Sequence, residues 1–454
     1  MKTVWDKLDE KETAEVQSFN EDYRKFLTAS KTEREFTENA MKLAEENGYR
    51  NLEEMTELSA GDRVYSINRG KNICLFVIGE KPVKEGMNIL GAHIDSPRLD
   101  LKQKPLYEKD GLALLDTHYY GGIKKYQWTA RPMALHGVVC KKDGTTVNVT
   151  FGEGEDEPCV GISELLIHLS AKQMNEKAAD AVKGEQLDLI VGSIPVRDEK
   201  EEPVKKYILN LLKEKYDMEE DDFMSAELEV VPSGPARNFG IDNSMILGYG
   251  HDDKVCAYTS MRAILDMKTP ERTSCCILVD KEEIGSVGNT GMQSRYFESV
   301  VAELNALQGN DSIVDLNKAL RNSRMLSSDV SAAFDPNWPE VNDPKNAAYF
   351  GKGICYNKYT GSRGKGGSND ANAEFFAKVR RVMDDNEVMF QTCELGAVDQ
   401  GGGGTIAYIL ADLNMDVVDA GIAVLNMHAP YEIVSKADVY EAYRAYAAFL
   451  KDMD

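Results

Sequence analysis

The chain has 454 residues, 42% hydrophobic and 28% charged, with a formal net charge of −23. So acidic a protein is a poor partner for nucleic acid or anionic membrane, because both are polyanions. Its length allows roughly two to four domains of ~150 residues each, and no run of about 18 apolar residues marks a membrane-spanning helix.

The stretch MKTVWDKLDEKETAEVQSFNEDYRKFL is charged and helical in pattern and has no apolar signal core, which predicts a cytoplasmic protein. Residues 1–60 read as helices. FTENAMKLAEENGYRNL has apolar residues at helical spacing and a glycine at its stop. NICLFVIG and MNILGAHIDS follow as apolar strands, and such runs suit a sheet covered on both faces. The style then changes. LYEKDGLALLDT and VVCKKDGTTVNVTFG each carry Asp-Gly between extended segments, a hairpin signal, and Val147, Val149 and Phe151 alternate with polar residues. SELLIHLSAKQMNEKAA reads as a helix, and an acidic, lysine-rich stretch follows at 197–223. From LGYGHDDKVCAYTSMRAIL onward, helices again alternate with the strands CCILVD, MLSSDV and VDAGIAVLN. The simplest organisation is an α/β domain, residues 1–98 and 237–454, interrupted by a β-rich domain, residues 99–236. The eight cysteines form no C-x-x-C pair and read as reduced, mostly buried thiols rather than zinc ligands.

Several polar residues stand where apolar strands end, which is where open α/β sheets build their sites. His93 and Asp95 close MNILGAHID, Glu282 and Glu283 follow CCILVD, Asp329 follows MLSS, and His428 follows VDAGIAVLN. Asp252 and Asp253 open a helix. Each also has an ordinary reading: capping for a helix-opening aspartate, a solvated surface for adjacent glutamates. Taken together, His93, Asp252, Glu283, Asp329 and His428 are two imidazoles and three carboxylates. That set suits two divalent ions sharing a bridging carboxylate, zinc first, cobalt or manganese as alternatives. A pair of such ions suits hydrolysis. Glu282 is then the general base, and Asp95 orients His93 and fixes its tautomer. DQGGGGTIAYILADL is glycine-rich but lacks the Gly-Lys-Ser/Thr ending of a phosphate loop, which argues against nucleotide binding.

In this order and at these separations, GAHIDSPRLDLK, GHDDKVCAYTS, DKEEIGSVG, SSDVSAAFDPNW and MHAPYEIVSKADVYEAY resemble the aspartyl aminopeptidase family of cocatalytic-zinc aminopeptidases. The resemblance covers essentially the whole chain. It implies a catalytic α/β domain with a mixed central sheet flanked by helices, and an inserted β-rich dimerisation domain, dimers assembling into a dodecamer. It implies His93 and His428 as the histidine ligands, Asp252 as the bridging aspartate with a cis bond to Asp253, and Glu283 and Asp329 as terminal carboxylates. Glu282 matches the general base and Asp95 the partner of His93. The implied substrates are short peptides, with N-terminal Asp or Glu preferred. In relatives a histidine of the insertion reaches a neighbouring subunit's site, which makes His168 a candidate; its helical neighbours Leu165 and Leu169 suit a buried interface position equally. An acidic substrate side chain needs a cation, and NKYTGSRGKGGSND offers Lys358, Arg363 and Lys365 on a loop. That stretch departs from the eukaryotic pattern, so broader specificity is the alternative. Other readings of the whole chain are a two-metal amidohydrolase acting on acyl-amino acids and an inactive self-assembling shell.

Overall fold

A computed structural model describes residues 2–154 and 156–454; Met1 and Glu155 lie outside the described residues. The chain forms two compact units. The first comprises Met1–Asp95, Ala236–Met427 and Glu432–Asp454, the second Ser96–Pro235 and His428–Tyr431.

The first unit is built on a nine-stranded mixed sheet. Its spatial order is Arg50–Asn51, Arg63–Asn68, Asn72–Val77, Thr273–Val279, Met87–His93, Arg324–Ser327, Asp416–Gly421, Ile354–Asn357 and Phe390–Thr392. Successive strand residues point to opposite faces, and here both faces are dry. Leu75, Val77, Leu90, Ala92, Cys276 and Leu278 share one core with Tyr23, Phe36, Met261 and Phe449. Those last four come from the helices Glu10–Ala29, Glu33–Glu46, His251–Leu265 and Lys436–Asp452. Cys74, Phe76, Ile89, Cys275, Ile277 and Val279 turn the other way, onto Phe297, Val301, Leu304 and Leu320 of the helices Tyr296–Leu307 and Ile313–Arg321. Two-sided burial is why NICLFVIG and CCILVD carry no polar alternation. The first two helices are closed by capping boxes, Asp9 with Glu12 and Thr32 with Glu35, so their leading N–H groups are satisfied.

The four central strands run parallel and in register. Val279 pairs with His93, Ser327 with Gly91, and Ser327 with Asp419. Their carboxyl ends are therefore level, and the segments leaving them start from one edge. A small five-stranded sheet in the same unit orders Arg237–Phe239, Met245–Gly248, Glu432–Ser435, Ala423–Leu425 and Ser331–Ala332.

The second unit holds a six-stranded antiparallel sheet ordered Thr146–Phe151, Met133–Cys140, Ala226–Pro232, Arg98–Lys109, Leu112–Tyr120 and Leu189–Gly192. At its first hairpin Asp110 and Gly111 have φ of 51° and 81°, the two positive values that a tight type I′ turn requires. One expected helix is absent. Residues 163–179 form only the short 3-10 turns Ile167–Leu169 and Gln173–Asn175. Glu164 accounts for this: its carboxylate accepts from the Leu165 N–H (3.0 Å), Thr129 Oγ1 (2.8 Å) and Gln173 Nε2 (2.8 Å), which ties the segment into a loop. Leu165, Leu166, Ile167 and Leu169 consequently face solvent in this chain.

Among the described residues no helix is long and apolar enough to cross a membrane. The cysteines are all free; Cys140 and Cys159 are exposed and the other six buried.

Candidate metal centre

His93 ends its strand with only 1% of its surface exposed. Its Nδ1 lies 3.1 Å from the Asp95 carbonyl and 3.2 Å from Asp95 Oδ1. Its Nε2 lies 3.2 Å from Asp252 Oδ1 and 3.9 Å from Glu282 Oε2. Burial disfavours the charged ring, but the carboxylates of Asp252 and Asp95 and the charge of Glu282 outweigh it and hold the His93 pKa well above the ordinary value. The two acceptors beside Nδ1 keep a proton there, so Nε2, which without a metal donates its own proton to the carboxylates, is the nitrogen that would ligate a cation once that proton is displaced.

Asp95 is buried completely and serves two segments at once. Besides meeting His93, its Oδ1 accepts the Glu282 N–H at 3.1 Å and its Oδ2 the Glu283 N–H at 3.2 Å. Those N–H groups belong to the 3-10 turn Glu282–Ile284, whose leading donors have no partner within the turn. Left-handed Lys281 (φ 71°) and Gly285 (φ 94°) bracket the turn and let the chain fold back directly after the strand. One carboxylate thus fixes the histidine and the glutamate pair relative to each other.

Asp252 and Asp253 are joined by a cis peptide bond. Both depart from helical geometry at the start of His251–Leu265, and Gly250 holds the cap position, so Asp252 is not an ordinary capping residue. The Asp252 N–H donates to Glu432 Oε2 at 2.9 Å. Glu432 is 1% exposed and was missed in the sequence; the available signal was a glutamate inside the apolar strand YEIVS. Asp253 is buried, and its Oδ1 has no hydrogen-bond partner among the described residues. Burial raises its pKa well above the usual carboxylate range, with the neighbouring Asp252 adding to the shift. Asp329 follows the Arg324–Ser327 strand, and burial, then the charge of Asp253, pushes its pKa up in the same way.

His93, Asp252 and Asp329 each offer a ligand atom within 4.8 Å of one another, and so do His93, Glu282 and Glu283. Carboxylates packed this closely at a dry edge repel one another unless a proton or a cation intervenes. Oxygen and imidazole donors in this mixture fit a divalent ion such as zinc, cobalt or manganese.

His428 belongs to the segment that packs with the second unit, where its Nδ1 meets the Gly122 carbonyl at 2.7 Å. A carbonyl only accepts, so the proton sits on Nδ1 and the lone pair on Nε2. His168 is exposed on the turn Ile167–Leu169, not buried on a helix. Lys358 and Lys365 both bond Asp370, at 2.7 and 2.9 Å, so two of the three loop cations are already answered by an acid. Arg363 and Lys365 line a cavity of about 180 Å³ with Tyr359 and Glu394.

The family model described as aminopeptidase I zinc metalloprotease (M18) matches residues 26–450. A probable M18 family aminopeptidase 1 of Clostridium acetobutylicum is 56% identical over 99% of this chain and 98% of its own. The crystal structure of an M18-family aminopeptidase from Thermotoga maritima superposes with a TM-score of 0.96 at 43% identity, covering 99% of both chains. The mApe1 dodecamer of S. cerevisiae shares the fold, with a TM-score of 0.78 at 20% identity over 96% of this chain and 97% of that one. A sheet edge that gathers buried carboxylates around one histidine, and near-complete alignment with these relatives, lead to one conclusion: the chain is a metal-dependent aminopeptidase and belongs to the M18 family.

Proposed function

We propose that this aminopeptidase releases N-terminal Asp or Glu from short peptides, assisted by two divalent ions held by His93, Asp252, Glu283, Asp329 and His428. Bound zinc, or cobalt or manganese in its place, would supply Lewis acidity toward the scissile carbonyl and a lowered pKa for the attacking water. Glu282 Oε2, 3.9 Å from His93 Nε2, takes the water's proton and passes it to the leaving amine. Asp95 keeps that carboxylate and His93 in fixed relation through its bonds to both segments. Asp252 would be the carboxylate the two ions share, and its backbone is steadied by Glu432. His428 contributes Nε2, its other nitrogen being engaged by Gly122.

The second unit pairs subunits and dimers build a dodecamer in the cytoplasm; His168, exposed among apolar neighbours, reaches into an adjoining subunit. The observation that carries the reading is the approach of Asp252 and Glu282 to a single nitrogen, Nε2 of His93. The test is a panel of dipeptides with N-terminal Asp, Glu, Leu or Lys, free and N-acetylated, assayed after chelation and re-addition of zinc, cobalt or manganese. Release of free acidic residues alone, restored by metal, is expected. Cleavage of the acetylated peptides would overturn it in favour of amide hydrolysis on acyl-amino acids.

A further inference from the structure

The turn that carries Asp252 stands outside helical geometry. Asp252 has φ −77° and ψ 106°, Asp253 φ −115° and ψ 22°, and Gly250 before them is left-handed at φ 75°. The leading N–H groups of a helix have no partner within it, so bonds to other elements set where this turn stands. Glu432 meets the Asp252 N–H. A second tie lies one residue earlier. His251 Nδ1 is 2.6 Å from the hydroxyl of Tyr23, on the helix Glu10–Ala29. Both side chains are fully buried. His251 Nε2 has no hydrogen-bond partner among the described residues, so Nδ1 is the anchored atom of the ring. A Tyr23 O–H that donates to Nδ1 uses its own buried proton, and the imidazole then carries its proton on Nε2. Breaking such a bond is costly, because the polar atoms left behind have no water to turn to.

The neighbours of this pair hold it still. The Tyr23 ring lies 5.6 Å from the imidazole and 5.2 Å from the ring of Tyr258. Tyr258 stands further along His251–Leu265. The Tyr23 ring is thus packed on the body of that helix while its hydroxyl holds the first residue. The imidazole has little room to shift: a Cβ on Gly248 would come within 3.3 Å of His251 Nε2 and 2.8 Å of Leu27 Cδ2. Leu27 lies on the helix of Tyr23. All of these residues belong to the first unit.

We infer that Tyr23 and His251 are positioning residues for the metal centre, the bond between them setting where the Asp252 carboxylate stands. The inference rests on the reading of Asp252 as a metal ligand. Neither Tyr23 nor His251 is itself a ligand; both act through the backbone of Asp252. Asp95 fixes His93 and Glu282 on one side of the centre, and this buried pair fixes Asp252 on the other.

The test is the zinc affinity of the folded protein, read by competition with a chromophoric chelator, beside urea denaturation of the metal-free form. Y23F deletes the hydroxyl and keeps the ring; its zinc Kd should rise about 10-fold or more. Y49F is the control. It deletes another buried hydroxyl, one that bonds the Ile264 carbonyl at 3.0 Å at the far end of the same helix. Y49F should lose stability as Y23F does, yet keep the zinc Kd within about twofold of the parent. H251N offers an amide oxygen in place of Nδ1 and should retain more affinity than H251F. Adding Y23F to H251F should change the Kd by less than about twofold, because the bond is already gone. A Y23F protein that binds zinc within about twofold of the parent would overturn the inference and leave the bond a feature of stability alone. An equal loss of affinity in Y49F would overturn it as well, since a loosened helix would then explain both. D252N separates the inference from the reading beneath it. If D252N binds zinc like the parent, Asp252 is no ligand and both fall; if D252N loses affinity while Y23F does not, the inference alone falls.

Discussion

Two charge clusters of the first unit are built in opposite ways. Around His93, buried or half-buried carboxylates of Asp95, Asp252, Glu282, Glu283 and Asp329 crowd a single imidazole. Around Asp370, two lysines meet one carboxylate on an exposed loop. The first cluster gathers five carboxylates about one imidazole and sits where water screens little. The second is nearly answered and well screened. The difference separates a place that needs a ligand from a place that does not: uncompensated buried charge is costly, whereas an exposed pair is worth little.

Breaking the first cluster should have the larger consequences. Glu282→Gln keeps size and hydrogen bonding but cannot take a proton. Its kcat should fall about 10²- to 10⁴-fold with metal content unchanged by atomic absorption; near-normal turnover would remove Glu282 from the base role. His93→Ala should instead empty the centre, and the stabilisation by added zinc, about 2.7 kcal/mol at 100-fold excess over Kd in the parent, should shrink in thermal melts. Asp95→Asn offers one acceptor oxygen where two backbone N–H groups and His93 now compete. Metal affinity and kcat/KM should each drop about 10- to 100-fold.

Asp419 sharpens the comparison, being a buried carboxylate outside both clusters. Burial raises its pKa to about 7, against the hydrogen bond from Thr405 Oγ1 at 2.6 Å. The unfolded chain releases this proton near pH ~4, the folded chain near 7. Between those values the unfolded state binds fewer protons, so stability falls as pH rises through the window. Asp419→Asn keeps an acceptor for Thr405 and abolishes the fall. Its advantage over the parent should widen by about 1–3 kcal/mol across that window in urea denaturation. At the other extreme, Lys358→Ala should shift Tm by under about 2 °C, because Lys365 continues to answer Asp370 and water screens the pair.

Legibility followed locality. Apolar runs such as NICLFVIG and CCILVD announced a sheet buried on both faces, because two dry faces leave no room for alternation. Asp110-Gly111 announced its hairpin, because few residues tolerate two positive φ values in succession. The helix expected at 163–179 did not form, because Glu164 turns its carboxylate onto the Leu165 N–H, onto Gln173 of the same segment and onto Thr129, 35 residues earlier. Glu432 stayed hidden for a related reason: its partner, the Asp252 N–H, is 180 residues away. Lys358 and Lys365 stood out as cations in a run of glycines, yet the acid that answers them, Asp370, closes the same run.

What the sequence determined by itself was the chemical inventory and its place on the elements: imidazoles and carboxylates at strand ends, hairpins in the middle of the chain, an acidic surface. These depend on neighbours a few residues apart, where periodicity and turn chemistry act. Only the tertiary structure decided which of those groups meet. Parallel register levels the strand ends that carry His93, Glu282 and Asp329. A buried carboxylate, Asp95, then ties the first two together. That tie joins residues 187 apart in the chain, and no local pattern records it.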